Sequence, residues 1–141
     1  MQEEKPQTIR LKDYQVPVFG IDRTRLHVDI GELVTTVTTT LEISRNPLDT
    51  SGSRQLMLDG GRGLVTRKLA LDGRELMSNE FTIDDETLSI PDVAEKFTFT
   101  SVVEIKPQDN LALEGLYRSG DMFCSQCEAE GFRNITWYMD R

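Results

Sequence analysis

Apolar and polar residues alternate along this chain with a period of two, and no stretch carries a convincing helical period. Leu26, Val28 and Ile30 alternate with Arg25, His27 and Asp29, which predicts a strand with the aliphatic face turned in. Leu33 to Ser44 repeats the pattern at greater length. Leu33, Thr35, Val37, Thr39, Leu41 and Ile43 share one face, and Val34, Thr36, Thr38, Thr40 and Glu42 share the other. Five threonines favour strand over helix here, because branching at Cβ restricts χ1 and suits a pleated surface. Lys96 to Lys106 is the strongest strand, with Phe97, Phe99, Val103 and Ile105 inward and Thr98, Thr100 and Glu104 outward. Pro107 stops it.

Shorter runs fill the space between. Asn46-Pro47 breaks the long run, and Asp49 to Ser53 reads as a loop. Arg54–Asp59 and Leu64–Leu71 are predicted strands, the second joined to Glu75-Leu76-Met77 through Asp72-Gly73. Asp-Gly supplies the positive φ angles of a tight hairpin turn. Phe81–Ile83 and Thr87–Ile90 form a further pair around Asp84-Asp85-Glu86. Residues 1–13 are polar and mixed in charge, the composition of a flexible or extended arm. Tyr14–Phe19, with Pro17, leads into residues 14–141 as one all-β domain, an antiparallel sandwich or barrel.

The chain has 141 residues, enough for one domain with a real core. Its net charge of -8 argues against a general nucleic-acid or anionic-membrane surface. No run reaches the length of a membrane-crossing helix, and Met1–Pro6 lacks the apolar segment of a secretory signal. Two cysteines do not make a disulfide scaffold, so a reducing, cytoplasmic setting is expected.

Chemistry concentrates in residues 110–137, which hold a Arg118–Asp121 turn and then MFCSQCEAEGFR. Gln126 and Glu128 are two apart, so on an extended backbone their side chains leave the same side, with Cα atoms roughly 7 Å apart. A carboxylate and an amide carbonyl could together hold a primary ammonium ion. From residue type alone, the two read rather as ordinary solvated polar residues. Glu130 could assist such a site or face solvent. Cys124 and Cys127 form a CxxC, yet there is no second ligand pair for zinc and no alternating α/β context for a redox site. They read as two reduced structural cysteines, and no metal is assigned to the chain. His27 falls on the polar face of its strand. Asn134-Ile135-Thr136 matches a glycosylation acceptor, but it lies in an apolar strand-like run and reads as accidental. Trp137 and Tyr138 read as core, since no basic residues interleave with them.

The stretch ALEGLYRSGDMFCSQCEAEGFRNITWYMDR resembles the end of the N-terminal domain of the bacterial aminopeptidase N family, the zinc-dependent gluzincin aminopeptidases. Leu56-Met57-Leu58-Asp59-Gly60 and Leu69-Ala70-Leu71-Asp72-Gly73 fit the same family more loosely, so the likeness covers most of the chain from about Tyr14. The resemblance implies a saddle-shaped, sandwich-like domain that normally continues with more strands, and hence a truncated chain. It implies that Gln126 and Glu128 bind the free α-amino group of a peptide substrate. It also implies zinc in the full-length enzyme, with ligands outside this chain, and a catalytic domain of the same polypeptide as partner.

A gluzincin needs His-Glu-x-x-His, and His27 is the single histidine, so that motif is absent here. The family's Gly-x-Met-Glu-Asn motif is absent too, and the chain alone is expected to be inactive, with no catalytic residue of its own. The alternative is a stand-alone β-sandwich binding or interaction module without enzymatic activity.

Overall fold

The computed structural model describes residues 8–140. Among these the chain forms β1 (Phe19–Ile30), β2 (Thr35–Arg45), β3 (Leu56–Asp59), β4 (Val65–Leu71) and β5 (Arg74–Glu75). It continues with β6 (Thr82–Asp84), β7 (Thr87–Ile90), β8 (Lys96–Ile105), β9 (Gly115–Ser119) and β10 (Met122–Gln126). Helical structure is limited to short 3-10 turns at Leu11–Asp13, Pro107–Asp109 and Gly131–Asn134. Part of the expected arm, residues 1–7, lies outside the described residues. The rest of it includes the exposed turn at Leu11–Asp13.

The strands make a five-stranded sheet in the order β1-β2-β8-β4-β5, a three-stranded sheet β3-β7-β6, and the hairpin β9–β10. Every pairing is antiparallel. The all-β, sandwich-like expectation holds. At its centre the period of two becomes packing. Leu41 stands opposite Phe99, Ile43 opposite Phe97 and Val37 opposite Val103, and all six are buried. Leu56, Leu58, Leu88 and Ile90 of the smaller sheet complete the same core. The threonines at 35 and 39 are buried with it, and Thr39 meets the Thr136 hydroxyl at 2.7 Å. That contact satisfies two hydroxyls that would otherwise be costly in an apolar layer.

The Asp72-Gly73 turn forms as expected, with φ of 48° and 79° between the paired Leu71 and Arg74. Two expectations fail. Leu33 lies outside β2 and is 80% exposed, because the strand begins only at Thr35. Leu26, Val28 and Ile30 do stand opposite Thr39, Val37 and Thr35 on the core-facing side, yet they are 41%, 37% and 46% exposed. The pattern set their direction correctly, but no described residue covers β1 deeply enough to bury them.

Two carboxylates, Asp49 and Glu80, tie loops to strand residues, and a third, Glu104 on β8, pairs with Arg67 on the neighbouring β4. Ser51 hydroxyl and N–H donors, with Arg45, hold Asp49 below its ordinary 3.8 despite some desolvation. The Met77 N–H and then Arg74 lower Glu80, and Arg67 lowers Glu104, both from 4.5. A carboxyl lowered in the folded state contributes stability above its unfolded value and loses it as pH falls through the folded one. The urea midpoint is therefore expected to stay level down to about pH 5 and to drop on further acidification. A midpoint still level at about pH 3 would contradict these assignments.

Candidate functional site

The segment dense in chemistry is built on β9 and β10. Ser119 pairs with Met122 across a two-residue turn, and Gly120 takes the φ of +60° that the turn requires. Arg118 closes it by donating from Nε to the Gly120 carbonyl at 2.8 Å. At the other end, Gly115 pairs with Gln126. Asn110 staples the approach, donating from Nδ2 to the carbonyls of Glu114 (2.7 Å) and Leu116 (2.9 Å). Its Oδ1 accepts from the Leu113 N–H at 3.2 Å, at a residue whose φ is +58°.

Beyond Gln126 the chain folds back on the hairpin base. The Gly131 N–H donates to the Cys127 carbonyl at 3.0 Å. A Cβ on Gly131 would lie 2.3 Å from the Gln126 carbonyl oxygen, so only glycine lets these two backbones meet. Gly131→Ala is accordingly expected to shift the loop and lower stability by about 1–3 kcal/mol in a urea titration. After Gly131 the chain drops into the core through Ile135, Thr136 and Trp137, all buried. Tyr138 then exchanges backbone hydrogen bonds with Asp59 at 2.7 and 3.0 Å. Arg133 reaches Asp140 and lies 3.5 Å from Glu130. Burial works against its charge, but the Asp140 hydrogen bond and the charges of Asp140, Glu130 and Asp59 more than offset it and raise its pKa.

The loop between Gln126 and Gly131 is thus held at both ends while its middle stands in solvent. Gln126 is the last residue of β10, and Glu128 lies in the turn that follows; both are exposed. The strand ends before Glu128, so the alternation that was to align the two side chains does not extend to it. Exposed Glu130 is engaged by Arg133. The side chains of Gln126 and Glu128 carry no hydrogen bond or ion pair among the described residues. The Glu128–Ala129 peptide is cis. Cys124 and Cys127 are free, partly buried thiols, with Cys127 packed on the core.

A cleft of about 1010 Å³, lined by Val34, Arg67, Glu104, Asn110 and Leu116 among others, does not include Gln126, Glu128 or Glu130. Among the described residues no three His, Cys, Asp or Glu side chains come together to hold a metal ion. His27 is exposed, and Trp137 is buried as expected. The Asn134–Thr136 triplet belongs to a 3-10 turn and the buried residues after it, a correction to the strand-like reading, with Thr136 fully buried. Reading the sequence missed Asn110, Gly115 and Gly131 as the residues that position the loop. The two glycines flanking it were the available signal.

No family model matches the sequence. Aminopeptidase N from Caulobacter vibrioides is 41% identical over 141 residues, which is 100% of this chain and 16% of that protein. Aminopeptidase N from Escherichia coli is 35% identical over 98% of this chain and 15% of its own length. The chain therefore spans about one sixth of the length of these relatives. Among solved structures, Legionella pneumophila aminopeptidase A in complex with aspartic acid has the same fold, with a TM-score of 0.85 and 23% identity. That match covers 94% of this chain and 16% of that one. An M1 zinc metallopeptidase from Deinococcus radiodurans, bound to a Tyr-Ser-Ala substrate, matches with a TM-score of 0.67 and 14% identity over 87% of this chain and 29% of its own. The likeness, read most specifically in residues 113–141 and more loosely from about Tyr14, thus extends to the whole sequence, and the chain matches the N-terminal domain of aminopeptidase N.

Proposed function

We propose that this chain forms the part of a zinc-dependent aminopeptidase that anchors the α-ammonium group of a peptide substrate through Gln126 and Glu128. One observation carries the reading. Of the three polar side chains in the stapled loop, Glu130 is engaged by Arg133, whereas Gln126 and Glu128 are exposed and unengaged among the described residues. An unengaged carboxylate beside an amide oxygen is a ready acceptor for a primary ammonium ion. In this reading Glu128 supplies the charge and Gln126 the orientation. The ligands named for the two structural neighbours, aspartic acid and Tyr-Ser-Ala, agree with such a substrate class, because an amino acid and a peptide both carry an α-amino group.

The arrangement accounts for a demand for a free N-terminus. An acylated amine would leave Glu128 facing no cation in a site desolvated by substrate and the rest of the enzyme. Zinc belongs to the parts of the enzyme outside this chain, whose own residues do not fit a zinc site: it has one histidine, and no cluster of ligands forms among the described residues. Bound there, the metal would activate the attacking water. This chain contributes binding and orientation, works with the catalytic domain of the same polypeptide in the cytoplasm, and alone is inactive. The test is Glu128→Ala in the full-length enzyme, read as kcat/KM on peptides with a free N-terminus. A large fall is expected, and equal values for variant and wild type would remove the assignment.

A further inference from the structure

Glu128 shares its loop with a second carboxylate, Glu130, which Arg133 Nη2 holds at 3.5 Å. The same guanidinium donates from Nε to Asp140 Oδ2. Asp140 in turn donates from its backbone N–H to Asp59 Oδ2 at 3.1 Å, and the Gly61 N–H donates to the Arg133 carbonyl at 2.7 Å. Glu130, Asp140 and Asp59 therefore share one cation, and the charge of each favours its ionised form. Among the described residues no other basic side chain forms an ion pair with any of the three. The three anions differ in freedom. Asp59 forms the backbone bridge with Tyr138, Asp140 follows two residues later, and both are partly buried. Glu130 is exposed and stands on the loop.

We propose that Arg133 is a positioning residue for the ammonium anchor: its charge keeps Glu130 beside Asp140 and Asp59 and thereby fixes the loop that carries Glu128. The inference rests on the reading of Gln126 and Glu128 as that anchor. The contact with Glu130 by itself contributes little stability, because the carboxylate is exposed. What matters is the arrangement its loss leaves behind. Without Arg133, three like charges stand close together with no counter-charge, and each raises the cost of the others. Asp59 and Asp140 cannot retreat, since backbone hydrogen bonds hold both. Glu130 can, and it is two residues from Glu128. An anchor displaced by about 1 Å can cost roughly a hundredfold in rate, because the scissile bond leaves its reactive position. Arg133 does this without touching the substrate. Its planar fork meets two carboxylates at once, a geometry that a lysine ammonium does not reproduce.

The test is Arg133→Gln in the full-length enzyme, assayed on peptides with a free N-terminus. kcat/KM is expected to fall about tenfold. Adding Glu130→Gln to that variant removes the stranded charge and should recover most of the loss, while Glu130→Gln alone changes little. In an enzyme that already carries Glu128→Ala, Arg133→Gln should cost less than about twofold, because no anchor remains to be positioned. A residue that served folding alone would lower activity by the same factor in both backgrounds. If the neutral variant fails to fold, Arg133→Lys carries the same test: a loss of about two- to threefold, again absent in the Glu128→Ala background. Wild-type kcat/KM in Arg133→Gln, no recovery on adding Glu130→Gln, or equal losses in the two backgrounds would overturn this inference and leave the anchor standing. Wild-type kcat/KM in Glu128→Ala would remove the anchor itself, and this inference with it.

Discussion

Trp137→Ala is expected to lower the unfolding free energy by about 3–5 kcal/mol, the range for removing a large aromatic from a packed core. Three features put it at the upper end. The side chain is 2% exposed, so nearly all its area is lost from the interior. The indole ring lies against Gly60, where a Cβ would come within 2.4 Å of the ring carbons, so the cavity is walled by backbone that cannot easily collapse. Its Nε1 donates to Thr66 Oγ1 at 2.9 Å, a bond that ties the C-terminal segment to β4. Single domains have roughly 5–15 kcal/mol in all, so a urea titration of the variant should show a large shift of midpoint or a loss of cooperative unfolding. Gly60→Ala attacks the same contact from the opposite side and should also destabilise. Trp137→Phe should cost less than alanine, because most of the volume remains and chiefly the bond to Thr66 is lost. If Trp137→Ala unfolds within about 1 kcal/mol of wild type, the segment is not the anchor described.

Glu128→Ala in the full-length enzyme is expected to lower kcat/KM by roughly tenfold to a few hundredfold on substrates with a free N-terminus. The figure follows from about 1.5–3 kcal/mol for a hydrogen bond to a charged group. Gln126→Ala should cost less, because it removes a neutral acceptor and leaves the counter-charge in place. Glu130→Ala should cost least, since that carboxylate already faces Arg133. The order of the three distinguishes an ammonium anchor from a general acidic surface. A surface field would weigh Glu128 and Glu130 alike and would fade with added salt. The chain alone, with or without Glu128, should stay inactive.

The sequence revealed the sheets well where both neighbours of a strand are strands. Val37, Leu41 and Ile43 on β2, and Phe97, Phe99 and Val103 on β8, are buried as their alternation required. Period two reports the direction of a side chain, and in the middle of a sheet direction and burial coincide. At the margin they separate, which is why Leu26, Val28 and Ile30 face the core side yet remain half-exposed. The Asp72-Gly73 turn was legible because its chemistry is local. The path from Cys127 to Tyr138 was not. It rests on Gly131 meeting the Gln126 carbonyl and on Gly60 and Gly61 admitting Trp137 and Asn134, contacts between residues up to 77 positions apart. For the candidate site, the residue types were legible and their setting was not. Spacing alone suggested two aligned side chains on a strand, and the strand stops at Gln126.

The most direct test of the ammonium anchor is a structure of the full-length enzyme with an amino-acid inhibitor bound. The inhibitor's nitrogen should sit within about 3 Å of both a Glu128 carboxylate oxygen and the Gln126 side-chain oxygen. A nitrogen held by other groups, with these two side chains turned to solvent, would contradict the account.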